Sequence, residues 1–391
     1  MKIMLLTHSF TPEISPPQRR WSIIADELAQ LGHTVTVVTP TSSRVVTVNQ
    51  KRLLDNPRVK LQNYPSLRHS RTMMGKVLKH GIDALLSVPA ALSGAKPDII
   101  IATVPAIPTL VVGYVASRLR RVPMVVDLRD AWPDLLRESH VIKFRWLEPL
   151  ISRLISLVVN RSEMLITVTH GLAHKMKMNG AMNVATISNG VETEGADLSV
   201  TPRIHDGKLH VLYLGNIGRS QGLDTAIRAM KHVPSSVQLR IVGQGTEKSK
   251  LMALADELGV KVDFREPVYG QEVLENYSWA DTCLVSLRPD WASFSYTVPS
   301  KLYELLYLNQ HVTGLVQGEA AEIIIAAESG TVVEQSVGGF AEYINFMVTN
   351  PESWQTPRRG REWVKTHASL RKSGREYSKV LAEVVRANSN R

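Results

Sequence analysis

Two short segments in the second half of the chain hold residues suited to gripping an anion. Gly215-Asn216-Ile217-Gly218-Arg219-Ser220-Gln221-Gly222 follows the apolar run 209–214. Glycines between a strand and a helix let backbone N–H groups approach a phosphate closely. The spacing fits neither the dinucleotide fingerprint nor the Walker loop, so a tight turn that needs glycine is the competing reading. The second segment, Val298-Pro299-Ser300-Lys301-Leu302-Tyr303-Glu304, sets Pro299 at a helix entry and Ser300 and Lys301 in the first turn. A cation is disfavoured at that end of a helix, so Lys301 is a candidate ligand for a diphosphate. Glu304, three residues on and on the same face, is a candidate acceptor for two ribose hydroxyls. A capping box that uses Glu304 to hold the helix start is its alternative.

These residues need a scaffold, and the hydrophobic pattern supplies one. Strand patterns at 2–6, 33–39, 98–104, 122–127, 164–169 and 184–188 share the first half with helical patterns at 17–31 and 109–118. The alternation restarts with strands at 209–214, 237–242, 262–264 and 282–286 and helices at 223–231, 248–258 and 271–278. Such alternation predicts parallel sheets with helices on both faces, and two sets of it predict two doubly wound α/β domains with an interdomain cleft as the site. The expected division is residues 1–196, a linker at 197–208 containing Pro202 and Gly207, and residues 209–356. A helical segment, 357–391, is expected to return to the first domain. The length of 391 residues suits two cores.

Charge is uneven along the chain. Residues 1–195 carry 24 Lys and Arg against 14 Asp and Glu, residues 196–356 carry 12 against 19, and residues 357–391 carry 10 against 3. A basic front suggests an anionic partner, such as a membrane surface, a phosphorylated acceptor or nucleic acid. No nucleic-acid-binding motif supports the last. No apolar run reaches the length of a membrane-spanning helix. Residues 1–6 read as a buried strand, not a leader, because Thr7-His8-Ser9 follows them. Cys283, alone in its type and set in an apolar run, reads as a core thiol and fits a reducing cytoplasm.

These segments together resemble the family 4 retaining glycosyltransferases of GT-B fold, over nearly the whole chain. The resemblance is carried by Thr7-His8-Ser9-Phe10-Thr11-Pro12-Glu13, Leu31-Gly32-His33-Thr34-Val35, Ile187-Ser188-Asn189-Gly190-Val191-Glu192, Val242-Gly243-Gln244-Gly245 and Ala280-Asp281, besides the two segments above. Asp127-Leu128-Arg129-Asp130-Ala131-Trp132-Pro133 with Ser300-Lys301-Leu302-Tyr303-Glu304 is similar to the branch that builds bacterial surface polysaccharides. Two departures stand out. Where many members have an Arg and a Lys in the first loop, this chain has Asn216 and Gln221, and where the first of two paired glutamates belongs it has Tyr296. Lys301 is then the best replacement cation, with Arg219 and Arg288 behind it.

The resemblance implies retaining transfer from a nucleoside-diphosphate sugar, taken as a UDP-sugar, without metal or other cofactor. Gly215, Asn216, Gly218, Arg219, Gln221, Gly243, Ser300, Lys301 and Glu304 are the donor-binding candidates. Lys301, Asp130 and Arg129 are the catalytic candidates, although a structural ion pair is an equal reading of Asp130 and Arg129. Arg19, Arg20 and Asp127 are the candidate acceptor contacts. His170 and His174 have the spacing of metal ligands but lack a surrounding zinc motif, and read as surface histidines. The basic, apolar stretches 68–80 and 140–161 fit an anionic membrane interface and a lipid-linked acceptor. A nucleotide-sugar 2-epimerase, whose acidic catalysts are not recognisable here as a set, a glycosyltransferase acting on a soluble natural product, and a basic nucleic-acid-binding or membrane-binding module without catalysis are the rival readings.

Overall fold

Strand β1 (Lys2–Leu6) is buried at every position after the first, the pattern of a central parallel strand covered on both faces. It lies in a computed structural model of the protein that describes residues 1–12, 16–41, 53–66, 73–104, 107–132, 134–139, 147–194, 200, 206–355 and 358–390. The chain divides into two compact units, Met1–Thr193 with Ser369–Arg391, and Glu194–Ala368.

The first unit runs β1, α1 (Pro16–Gln30), β2 (Thr34–Pro40), β3 (Val59–Tyr64), α2 (Met73–Leu92), β4 (Ile99–Val104), α3 (Ile107–Arg120), β5 (Met124–Leu128), α4 (Asp134–Ser139), α5 (Leu147–Arg161), β6 (Met164–Thr167), α6 (His170–Met178) and β7 (Val184–Thr186). Its seven strands are ordered β3-β2-β1-β4-β5-β6-β7, all parallel. The order reverses between β1 and β4, and in such sheets ligands bind beyond the strand ends at that point. One core joins β1 and β2 to Trp21, Ile24 and Leu28 of α1 and to Tyr377 and Leu381 near the chain end. Another gathers Met4, Leu6 and Ile100 with Val112 and Ala116 of α3.

The second unit runs β8 (Leu209–Leu214), α7 (Asp224–Ala229), β9 (Val237–Val242), α8 (Lys248–Leu258), β10 (Val262–Arg265), α9 (Gln271–Trp279), β11 (Thr282–Ser286), α10 (Ser300–Tyr307), β12 (Val312–Leu315), α11 (Glu319–Ala326), β13 (Gly330–Val332), α12 (Val337–Thr349), α13 (Glu352–Gln355) and α14 (Gly360–His367). Its strand order is β10-β9-β8-β11-β12-β13, again all parallel, with the reversal between β8 and β11.

The last helix, α15 (Leu370–Ser389), packs on α1 within the first unit. Leu370, Tyr377, Leu381 and Val384 form its buried stripe. Its arginines meet carboxylates: Arg371 donates to Asp26 at 2.6 Å and Arg375 to Glu27 at 2.7 Å. The return to the first unit begins at Ser369, not at residue 357. Residues 358–368 stay with the second unit because Arg358 donates to Asn309 O at 2.7 Å, Arg361 N to Asn309 Oδ1 at 3.0 Å, and α14 packs on α10. Much of the expected linker, 197–199 and 201–205, lies outside the described residues.

Candidate functional site

In the second unit, β8 and β9 both end in glycines that touch. Gly215 N donates to Val242 O at 2.9 Å, and Ile217 N donates to Gln244 O at 3.0 Å. A Cβ on Gly243 would lie 1.9 Å from Gly215 O, and Gly243 has φ +144°. Only glycine fits there, which fixes the course of the 215–217 turn. After it, Gln221 folds back: its Oε1 accepts from Gly218 N at 3.0 Å and from Asn216 Nδ2 at 3.4 Å. The loop is held by its own carboxamides.

Lys301 reaches this turn from α10. Its Nζ would be 3.0 Å from a Cβ on Gly215 and stands 3.6 Å from the centroid of the Tyr213 ring. That nitrogen is buried and has no hydrogen-bond partner among the described residues. Burial drives the Lys301 pKa down to about 7, against the opposing pull of groups including Glu304. A buried amino group with no hydrogen-bond partner among the described residues, beside a glycine turn at the switch point, has the chemistry to receive an anion. The entry of α10 adds to it: Pro299 is the N-cap and supplies no side-chain cap, so helix-end amides face the same positive end.

Glu304 sits a turn into α10, with the helix starting at Ser300, and accepts from Tyr277 Oη at 3.2 Å. The capping-box alternative is therefore not realised. Arg288 is bound to Asp290 through Nε at 2.7 Å and Nη2 at 2.8 Å. Arg219 is exposed, and with Arg288 it lines a cavity of about 490 Å³ between α7 and α8 whose walls do not include Lys301 or Glu304. Lys301 is the cation set against Gly215. Sequence reading missed Tyr213 and Tyr277. A signal for Tyr213 existed, since a residue two before Gly215 on a strand faces the same side.

In the first unit the candidates part ways. Asp127, at the end of β5, is fully buried and accepts from Tyr377 Oη at 2.7 Å. Arg20, 3% exposed, donates to Tyr377 Oη at 3.2 Å, Ile187 O at 3.1 Å and Ser188 O at 2.6 Å. Both are buried and join α1, β5 and α15, and Asp127 Oδ2 has no hydrogen-bond partner among the described residues. Arg19 is exposed on α1. Arg129 Nε lies 3.3 Å from Val104 O and 3.5 Å from Asp127 Oδ2, while burial pushes the Asp130 carboxyl above its usual range against the pull of Arg129. Thr103 Oγ1, Arg129 Nη2 and Trp132 Nε1, on β4 and just after β5, are buried without a hydrogen-bond partner among the described residues. Among the described residues no three His, Cys, Asp or Glu side chains cluster as metal ligands. Cys283 is buried, with its thiol pushed up to about 12 by burial.

Tyr377→Phe tests the structural reading. It leaves Asp127 and Arg20 short of a partner in the core and is expected to cost about 1–3 kcal/mol in urea unfolding. A change within error would mean that Tyr377 Oη ties nothing together.

A family model described as a glycosyl transferase 4-like domain matches residues 17–190, and one described as glycosyl transferases group 1 matches residues 197–363. No sequence among curated proteins matches significantly. Among solved structures, Anabaena HepE in complex with UDP and glucose is similar at 16% identity and TM-score 0.70, over 98% of this chain and 100% of that one. Sucrose-phosphate synthase from Thermosynechococcus elongatus is similar at 15% identity and TM-score 0.74, over 99% of each. WaaG, a glycosyltransferase involved in lipopolysaccharide biosynthesis, is similar at 16% identity and TM-score 0.64, over 97% of this chain and 99% of that one. With two matching domain models in sequence and two parallel-sheet units in space, the chain is a glycosyltransferase and belongs to family 4, with the GT-B fold.

Proposed function

We propose that the enzyme transfers a sugar from a UDP-sugar, with retention and without a metal, to a lipid-linked or surface-polysaccharide acceptor. The observation that carries the donor half is Lys301: a buried nitrogen with no hydrogen-bond partner among the described residues, set against Gly215 at the switch point of the second sheet. HepE, similar in fold, is described with UDP-glucose, and WaaG with lipopolysaccharide synthesis, which favours this donor and this class of acceptor. In this reading the diphosphate leaves with its charge met by Lys301 and the amides at the start of α10. The acceptor oxygen attacks the anomeric carbon from the face the diphosphate leaves. The departing diphosphate oxygen takes the acceptor proton, so no side chain need serve as nucleophile. Glu304, steadied by Tyr277, accepts from the ribose. The buried polar atoms of Thr103, Arg129 and Trp132 are the first unit's candidates for acceptor hydroxyls.

A thermal-shift panel of UDP, GDP, ADP, CDP and dTDP, each with and without EDTA, tests the donor. UDP at about a hundred times its Kd is expected to stabilise by roughly 2.7 kcal/mol, unchanged by EDTA. Stabilisation by another nucleotide alone sinks the UDP assignment, and loss in EDTA sinks metal independence. The anomer formed, read by NMR, decides retention.

A further inference from the structure

Helices α2, α3 and α5 form a layer in which α3 packs against both neighbours. Arginines at its end fasten it on each side. Arg120 donates to the carbonyls of Ala91, Ser93 and Gly94, and Arg118 donates to Arg161 O at 2.6 Å. The inner sides are ordinary core, with Ala91, Val112 and Ile155 buried.

The outer sides are apolar too. Leu85 of α2 is 73% exposed, Leu119 of α3 65% and Leu150 of α5 58%. Leu150, Leu154 and Leu157 are all exposed and recur at i, i+4 and i+7, so one edge of α5 is a stripe of leucine facing water. Single exposed leucines are normal, whereas exposed leucines on three adjoining helices mark a surface that meets something apolar.

The charges on the layer have nearly one sign. The three helices hold six Lys and Arg against two carboxylates, and α3 holds no carboxylate. Both carboxylates are engaged: Asp83 is buried on Lys79, and Glu148 accepts from Arg137 at 2.7 Å. Arg153 stands exposed beside the leucines, and so does Arg118, whose Nη2 lies 3.6 Å from Glu163 Oε1 at the end of the layer.

We propose that this face, with Leu85, Leu119, Leu150 and Leu154 as its apolar contacts and Arg118 and Arg153 as its cations, docks on an anionic lipid bilayer. Leucines enter the acyl boundary while guanidinium groups stay at the level of the lipid phosphates. Among the described residues no helix is long and apolar enough to cross a membrane, so the face rests on the surface. A second copy of the same face would set arginine against arginine, which disfavours a symmetric dimer here. The proposal does not depend on which sugar is transferred.

The test is co-sedimentation of the full chain with vesicles of equimolar phosphatidylcholine and phosphatidylglycerol, against vesicles of phosphatidylcholine alone. The chain is expected to sediment with the anionic vesicles at about 0.1 M salt and to lose about tenfold or more of that binding on neutral vesicles or at about 0.5 M salt. Leu119→Glu with Leu154→Glu is expected to lower binding about tenfold or more with an unchanged melting temperature, since exposed positions contribute little to stability. Met182→Glu, 90% exposed but outside the three helices, is expected to bind as the parent does. Arg153→Glu, a single exposed change, serves if the double variant fails to fold, and is expected to weaken binding in the same direction. Absence of binding to anionic vesicles, or equal binding by these variants, overturns the proposal. So does a dimer in sedimentation velocity that the leucine substitutions convert to monomer. The UDP-induced melting shift of the same samples keeps this result separate from the donor assignment.

Discussion

Gly243→Ala is expected to destabilise the enzyme by about 2–5 kcal/mol and to remove most nucleotide affinity with it. The new Cβ would stand 1.9 Å from Gly215 O and 3.0 Å from Gly215 C, and both are backbone atoms. No rotamer change relieves such a contact, so β9 or the 215–217 turn must move. The φ of +144° adds strain for any residue with a side chain. Movement of the turn also shifts Gly215 away from Lys301 Nζ, which is why binding falls together with stability. Gly259→Ala is the comparison. Gly259 caps α8 at φ +66° with nothing within 4 Å of a Cβ, so it loses only the left-handed preference, about 1–2 kcal/mol. Urea unfolding of both variants, with UDP titrations, reads the difference. Equal costs in the two would show that the Gly215 contact yields easily and that the turn is not built around Gly243.

The alternation of strands and helices made two doubly wound units legible before any coordinates, because buried parallel strands such as Lys2–Leu6, after its first residue, and Leu209–Leu214, apart from His210, are apolar. Strands β3, β12 and β13 escaped notice for physical reasons. Val59–Tyr64 is an edge strand of mixed polarity, and Val312–Leu315 and Gly330–Val332 are short and contain glycine. The glycine turn and Lys301 could be named from their place after a strand and at a helix entry. The fate of Arg20 and Asp127 could not. Charged residues near a strand end suit a site, yet Tyr377, hundreds of residues later, brings α15 over them and makes them core. Gln221 shows the same limit at short range. It stands where many relatives carry a lysine, and only the folded loop reveals that its carboxamide binds the Gly218 amide. The basic tail likewise reads as part of a basic face, whereas Arg371 and Arg375 are neutralised by Asp26 and Glu27 of α1.

Lys301→Met is expected to move stability and affinity in opposite directions. Met matches the length of the lysine stem and keeps contact with Tyr213 while removing the buried nitrogen. Burial pushes the Lys301 ammonium from its usual 10.5 down to about 7 in the folded chain. Between those values the unfolded chain holds a proton that the folded chain has released, so stability rises with pH across this window. The penalty from Lys301 is thus complete below about pH 7 and fades as pH climbs. The Met variant is expected to be more stable at pH 7 by about 1–4 kcal/mol, with the gain shrinking by up to about 1.4 kcal/mol per pH unit toward pH 9. Donor binding reverses the sign. A diphosphate against Nζ restores the charge the burial opposed, so losing that nitrogen is expected to weaken UDP by about 1.5–3 kcal/mol, the range of a charged hydrogen bond. Urea unfolding at pH 7 and pH 9, with calorimetric titration of UDP, measures both. A variant that is less stable at pH 7, or that binds UDP as the parent does, would remove Lys301 from the donor site. A buried amino group with no hydrogen-bond partner among the described residues opposes folding, so its place beside a glycine turn is accounted for by an anion that binds there.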